Sequence, residues 1–175
     1  SALSSLDKLK SKIHSFISIG CPHVGCHKSD SFLVNIGIKF LKTFSNSKAL
    51  KELDLSDNVG NKKSPLLSEM SINNNFSLFK NVTLISSKGD GFAPEYSSLL
   101  YDIEDKGILT NNKCIQGLLD SLNNTKFRRI IIEKPVLEHD GKQIDHWTGR
   151  SGHIEMIQNP TLVKLLLLIN KEIFS

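Results

Sequence analysis

Two cysteines and two histidines fall within seven positions of one another, at Cys21, His23, Cys26 and His27 in the stretch ISIGCPHVGCH. Thiolate and imidazole are the preferred ligands of zinc, so metal binding is the first chemistry the cluster suggests. The spacing speaks against it. Structural zinc sites usually pair one close couple of ligands with a second couple roughly a dozen residues on, and none follows here. Pro22 also stiffens the turn that would have to fold all four side chains onto one tetrahedron. A redox pair is typically Cys-x-x-Cys, whereas four residues separate Cys21 from Cys26. A third reading takes Pro22 and Gly25 as the residues that set a turn at the end of a strand, with the cysteines as small fillers. That reading accounts for the proline, the glycine and the position together, so no metal and no cofactor are expected.

Asp90 lies between two glycines in SKGDGFAP. A carboxylate in a tight turn after a strand can be aimed at a histidine across the sheet edge, or it can hydrogen-bond its own turn. The residues alone leave both open. Three histidines, His139, His146 and His153, lie in the polar stretch EHDGKQIDHWTGRSGHIEMIQNP, and a loop histidine is ordinarily a solvated side chain.

The elements that would position these residues are legible as alternating strands and helices. Leu3, Leu6, Leu9 and Ile13 have helical spacing, and so do Phe32, Leu33, Ile36, Phe40, Leu41 and Phe44, with Ser29 or Asp30 as N-cap. Phe16–Gly20 is a continuous apolar run closed by glycine, as in a strand buried on both faces. Ser64-Pro65 marks a short helix to Ser71, ended by Asn73, Asn74 and Asn75. Asn81–Ser87 and Phe127–Ile132 read as further strands, with CIQGLLDSL helical between them. Asn159-Pro160 caps an apolar helix over Thr161–Ile173. Buried strands separated by helices imply crossover connections and a parallel sheet, an α/β architecture whose sites gather at the C-terminal strand ends. Residues 46–63 are polar, with few apolar anchors, and read as a mobile insertion.

A chain of 175 residues can form one domain with an adequate core. Its net charge of +4 is scattered along the sequence, unlike the basic stripe of a nucleic-acid-binding protein. Three cysteines are too few for a disulfide scaffold, which favours a reducing compartment and a cytoplasmic location. No apolar run approaches the length of a membrane span.

The ordered series FISIGCPHVG, LFKNVTLISSKGDGFAPEYSS and GRSGHIEMI resembles the C-terminal part of the putative serine esterase family, lipase-like α/β hydrolases of eukaryotes. The resemblance rests on Pro-His-x-Gly at Pro22–Gly25, Asp-x-x-Ala-Pro at Asp90–Pro94 and Gly-x-x-x-His at Gly149–His153, in that order along nearly the whole chain. It implies the C-terminal part of an α/β-hydrolase domain spanning residues 1–175, built on the three strands above. It implies Asp90 as the acid and His153 as the general base of a Ser-Asp-His triad. Cys21, Pro22, His23 and Gly25 would line the site. Cys21 stands where relatives tend to carry a small residue, which leaves a reactive thiol there as an open alternative.

No G-x-S-x-G is present; Gly149-Arg-Ser-Gly-His fails at its last position. The nucleophile elbow of such an enzyme would precede residue 1. The expected activity is ester or lipid hydrolysis by the full-length protein, the chain alone being inactive. Its expected partners are the substrate and the N-terminal half of the same domain, or a second copy of the fragment, and not nucleic acid. A non-catalytic α/β-hydrolase-like interaction domain and, less favoured, a small zinc module at Cys21–His27 are the alternatives.

Overall fold

The computed structural model describes residues 13–26, 48–53, 55, 65–72, 75–88, 90, 93–101, 109–133, 153, 156–169 and 171. The helices expected over Leu3–Ile13 and from Asp30 to Ser45 lie outside these residues, apart from Ile13 itself. So do His27, His139, His146 and most of 46–63.

Three strands, β1 (Ser15–Ile19), β2 (Asn81–Ser87) and β3 (Lys126–Ile132), form a parallel sheet in the order β1-β2-β3. Phe16 stands opposite Val82 and Val82 opposite Phe127, so side chains alternate in step across all three strands. Phe16, Val82, Leu84, Phe127 and Ile131 fall on one face. Ile17, Ile19, Ile85, Ile130 and Ile132 fall on the other. Both faces are apolar, which is why the strands read as runs instead of alternations.

Helices cover each face. Between β1 and β2 come α1 (Lys48–Leu53), α2 (Leu66–Ile72) and a 3-10 turn (Asn75–Leu78); between β2 and β3 come α3 (Glu95–Leu99) and α4 (Leu109–Asp120). Cys114, Ile115 and Leu118 of α4, with Leu122 just beyond it, join Phe76, Leu99 and Leu100 against the Phe16 face. Helix α4 approaches α2 closely: a Cβ on Gly117 would lie 3.3 Å from the carbonyl oxygen of Ser71. On the opposite face, α5 (Pro160–Ile169) lays Leu162 and Leu166 over Ile85. Asn159 caps it, its Oδ1 accepting from the amides of Thr161 (2.9 Å) and Leu162 (3.1 Å).

The expected elements within the described residues are present, with shifted ends. Pro65 precedes α2 instead of occupying its first turn, and α4 begins at Leu109, several residues before the apolar spacing, through Thr110 and two asparagines of weak helix propensity. Residues 48–53, inside the polar stretch 46–63, are helical.

Helix α3 was not legible. It is barely one turn and ends at Leu100, whose φ of 56° is left-handed. Tertiary contacts hold it there. The Arg129 guanidinium donates to the carbonyls of Leu99 (2.7 Å) and Leu100 (2.9 Å) and lies within 4.9 Å of the ring centres of Tyr101 and Phe127.

Candidate active site

The C-terminal ends of β1 and β2 lie side by side, and the turns that leave them build the site. The ladder between the strands continues one residue past β1, the Gly20 amide donating to Ile85 O at 2.8 Å. Gly20 then takes φ +56°, a conformation that turns the chain sharply and suits glycine. Pro22 to Gly25 closes a turn in which the Gly25 amide donates to Pro22 O at 3.3 Å, as the strand-end reading of this stretch anticipates.

After β2, the Asp90 amide donates to Ser87 O and one carboxylate oxygen, Oδ1, accepts from the Ala93 amide at 3.0 Å. The other oxygen, Oδ2, lies 2.8 Å from His153 Nδ1. The Asp90 side chain is fully buried, while that of His153 keeps 28% of its surface exposed. A carboxylate accepts only, so the proton of this bond sits on Nδ1, which leaves Nε2 as the basic nitrogen. The hydrogen bond that His153 donates to Asp90 raises the imidazole's pKa above the ordinary histidine value; partial burial opposes it and the carboxylate's charge adds to it. Asp90 thus uses both possibilities its sequence context allowed, bonding its own turn and a histidine.

Gly20 belongs to this site, although as a sequence position it reads only as a strand terminator. A Cβ there would lie 2.9 Å from Asp90 Oδ2, 3.0 Å from His153 Nδ1 and 2.6 Å from Met156 Cε. The signal that could have revealed it is a glycine directly after a buried strand, where a backbone must approach other groups closely.

The expected lining residues separate. Cys21 is exposed, and burial of its sulfur raises the thiol's pKa more than a hydrogen bond with Ser18 lowers it. A thiol held protonated is a poor nucleophile, which weakens the reactive-cysteine alternative. His23 packs edge-on against Phe76 at 5.7 Å between ring centres, with Phe16 at 6.1 Å, and its Nε2 is buried without a hydrogen-bond partner. Gly25, at φ +77°, abuts the Leu53 carbonyl, and the Cys26 amide donates to that oxygen at 2.8 Å. Among the described residues, no three His, Cys, Asp or Glu side chains converge as metal ligands, and no helix is long and apolar enough to cross a membrane.

A sequence profile described as "Putative serine esterase (DUF676)" matches residues 4–102, more than half of the chain. The chain belongs to this serine esterase family. The parallel sheet with flanking helices is an α/β architecture, consistent with a serine esterase of the α/β-hydrolase type. The esterase match takes in β1, β2, the Gly20 turn and Asp90, and stops before His153. No solved structure matches the chain.

Burial lowers the pKa of His23 to about 4. The unfolded chain binds this proton near pH 6.5, so stability carried by the neutral imidazole is complete above that pH and is lost as pH falls from about 6.5 to about 4, a total of about 3 kcal/mol. His153 acts with opposite sign: its raised pKa contributes stability at low pH that is lost as pH rises through its folded value. In urea titrations of the full-length protein, His23→Phe is expected to flatten the acid loss over that window. Parallel pH profiles for variant and wild type would show that His23 does not carry it.

Proposed function

We propose that this chain is the acid- and base-bearing portion of a serine hydrolase acting on ester or lipid substrates, with Asp90 as the triad acid and His153 as the general base. The nucleophilic serine lies on a segment upstream of residue 1. The 2.8 Å bond between Asp90 Oδ2 and His153 Nδ1 carries the reading. Buried carboxylate, partly exposed imidazole and a proton on the inward nitrogen are the arrangement a general base requires.

In that reaction His153 Nε2 takes the proton of the serine hydroxyl as its oxygen attacks the acyl carbon. The imidazolium then gives that proton to the departing alkoxide, which leaves as the alcohol. Water repeats the cycle on the acyl-enzyme and releases the acid. Asp90 keeps its charge throughout, fixing the tautomer and stabilising the imidazolium.

Two features support a serine-bearing segment docked on this portion. Among the described strands β1 is bonded on one side only, which leaves backbone donors and acceptors for another strand. Helix α5 also presents Val163, Leu165, Leu167 and Leu168 at 39–67% exposure, on a helix too apolar for solvent on most sides.

Treatment with a fluorophosphonate probe tests the reading. The full-length protein should be labelled on one serine outside residues 1–175 and should hydrolyse p-nitrophenyl esters, while the chain alone should do neither. A full-length protein that takes no label and turns over neither short- nor long-chain esters would show a non-catalytic domain.

A further inference from the structure

The turn after β1 and the turn after β2 carry the two sides of the site, and one residue ties their backbones together. Ser97, in α3, has no exposed surface. Its Oγ accepts from the Val24 amide at 3.1 Å, and its carbonyl oxygen accepts from the His23 amide at 3.2 Å. Val24 is 1% exposed, so water has no ready access to replace that acceptor. On the α3 side, the Ser97 and Ser98 amides both donate to Pro94 O, and Ser98 Oγ donates to Ala93 O. Ala93 in turn donates to Asp90 Oδ1. On the β1 side, His23 and Val24 continue from Gly20, where a Cβ would fall 2.9 Å from Asp90 Oδ2 and 3.0 Å from His153 Nδ1.

We propose that Ser97 is a positioning residue for the Asp90–His153 pair: by fixing the His23–Val24 backbone to α3, it holds Gly20 against the pair and sets the separation at which carboxylate and imidazole meet. Ser97 touches neither reacting group; it acts through two short backbone segments. The effect of Ser97 on kcat rests on the hydrolase reading above; its effect on the His153 tautomer does not.

The test compares Ser97→Ala with Ser121→Ala in the full-length protein. Ser121 is a buried serine remote from both turns, whose Oγ donates to Leu118 O at 2.6 Å. Imidazole nitrogen spectra followed through a pH titration report the tautomer and midpoint of His153. Ser97→Ala is expected to move that midpoint down toward the ordinary histidine value, to weaken the Nδ1-protonated preference, and to lower kcat about tenfold or more with KM unchanged. Ser121→Ala should lower the melting temperature and leave the His153 signals in place. Should Ser97→Ala fail to fold, hydrogen exchange in the wild type decides: a Val24 amide protected like the amides of β2 supports the clamp, and rapid exchange there overturns it. An unchanged His153 titration in Ser97→Ala also overturns it, as does a wild type with no Asp90–His153 signature. A wild type that shows the signature but turns over no ester removes the hydrolase reading and leaves the titration to judge Ser97.

Discussion

Asp90→Asn is expected to lower kcat of the full-length protein by about 10⁴-fold, with KM nearly unchanged. The size follows from how each oxygen of this carboxylate is held. Oδ1 faces a donor, the Ala93 amide at 3.0 Å, and in the variant that donor selects the oxygen of the new carboxamide. The carboxamide nitrogen is then turned toward His153 Nδ1, where Asp90 Oδ2 stood at 2.8 Å. A donor facing Nδ1 makes it an acceptor and forces the ring proton onto Nε2. That is the nitrogen that must receive the serine proton, so the imidazole is locked in the wrong tautomer with little change in shape. Imidazole nitrogen spectra should show the switch directly, and the midpoint of His153 should fall because the hydrogen bond that raised it is gone. An Asp90→Asn enzyme within about tenfold of the wild-type kcat would mean that Asp90 is not the residue that orients the base.

Much of what positions this pair was readable from residue types. The β1 and β2 runs are apolar on both faces because helices cover both faces, and continuous apolar runs closed by glycine or serine carry that information locally. The pairing itself was not local. Asp90 and His153 are 63 positions apart, and nothing in either turn names the other; the ordered resemblance to the esterase family carried that expectation. Helix α3 escaped because Glu95–Leu99 has no apolar period and its end is imposed by Arg129, a residue of β3. His23 is expected to line the site because it sits in the Pro-His-x-Gly turn that carries the family resemblance. Its ring is drawn to Phe16 and Phe76, a contact set by the 3-10 turn before β2 and invisible in the motif.

Gly20→Ala is expected to break the same pair from the backbone side. Two costs combine. Alanine at φ +56° is strained by about 1–2 kcal/mol. Its methyl would also fall 2.6 Å from Met156 Cε, 2.9 Å from Asp90 Oδ2 and 3.0 Å from His153 Nδ1. Met156 Cε is the far end of a flexible side chain and can swing aside. Asp90 has no such freedom, being buried and held at one oxygen by Ala93 and at the other by His153. Relief therefore comes by stretching the carboxylate–imidazole bond, and displacements on this scale cost about a hundredfold in rate. Gly25→Ala separates geometry from stability. Gly25 is also left-handed, at φ +77°, and its methyl would fall 2.5 Å from the Leu53 carbonyl oxygen, with the Leu55 side chain 3.2 Å away. Both alanines should lower the melting temperature of the full-length protein, but only the one at position 20 should lower kcat about a hundredfold and shift the His153 titration. Equal effects of the two on His153 would show that the turn after β1 acts on the site only through the stability of the fold, and that the close approach of the Gly20 backbone to the Asp90–His153 pair has no part in holding the pair together.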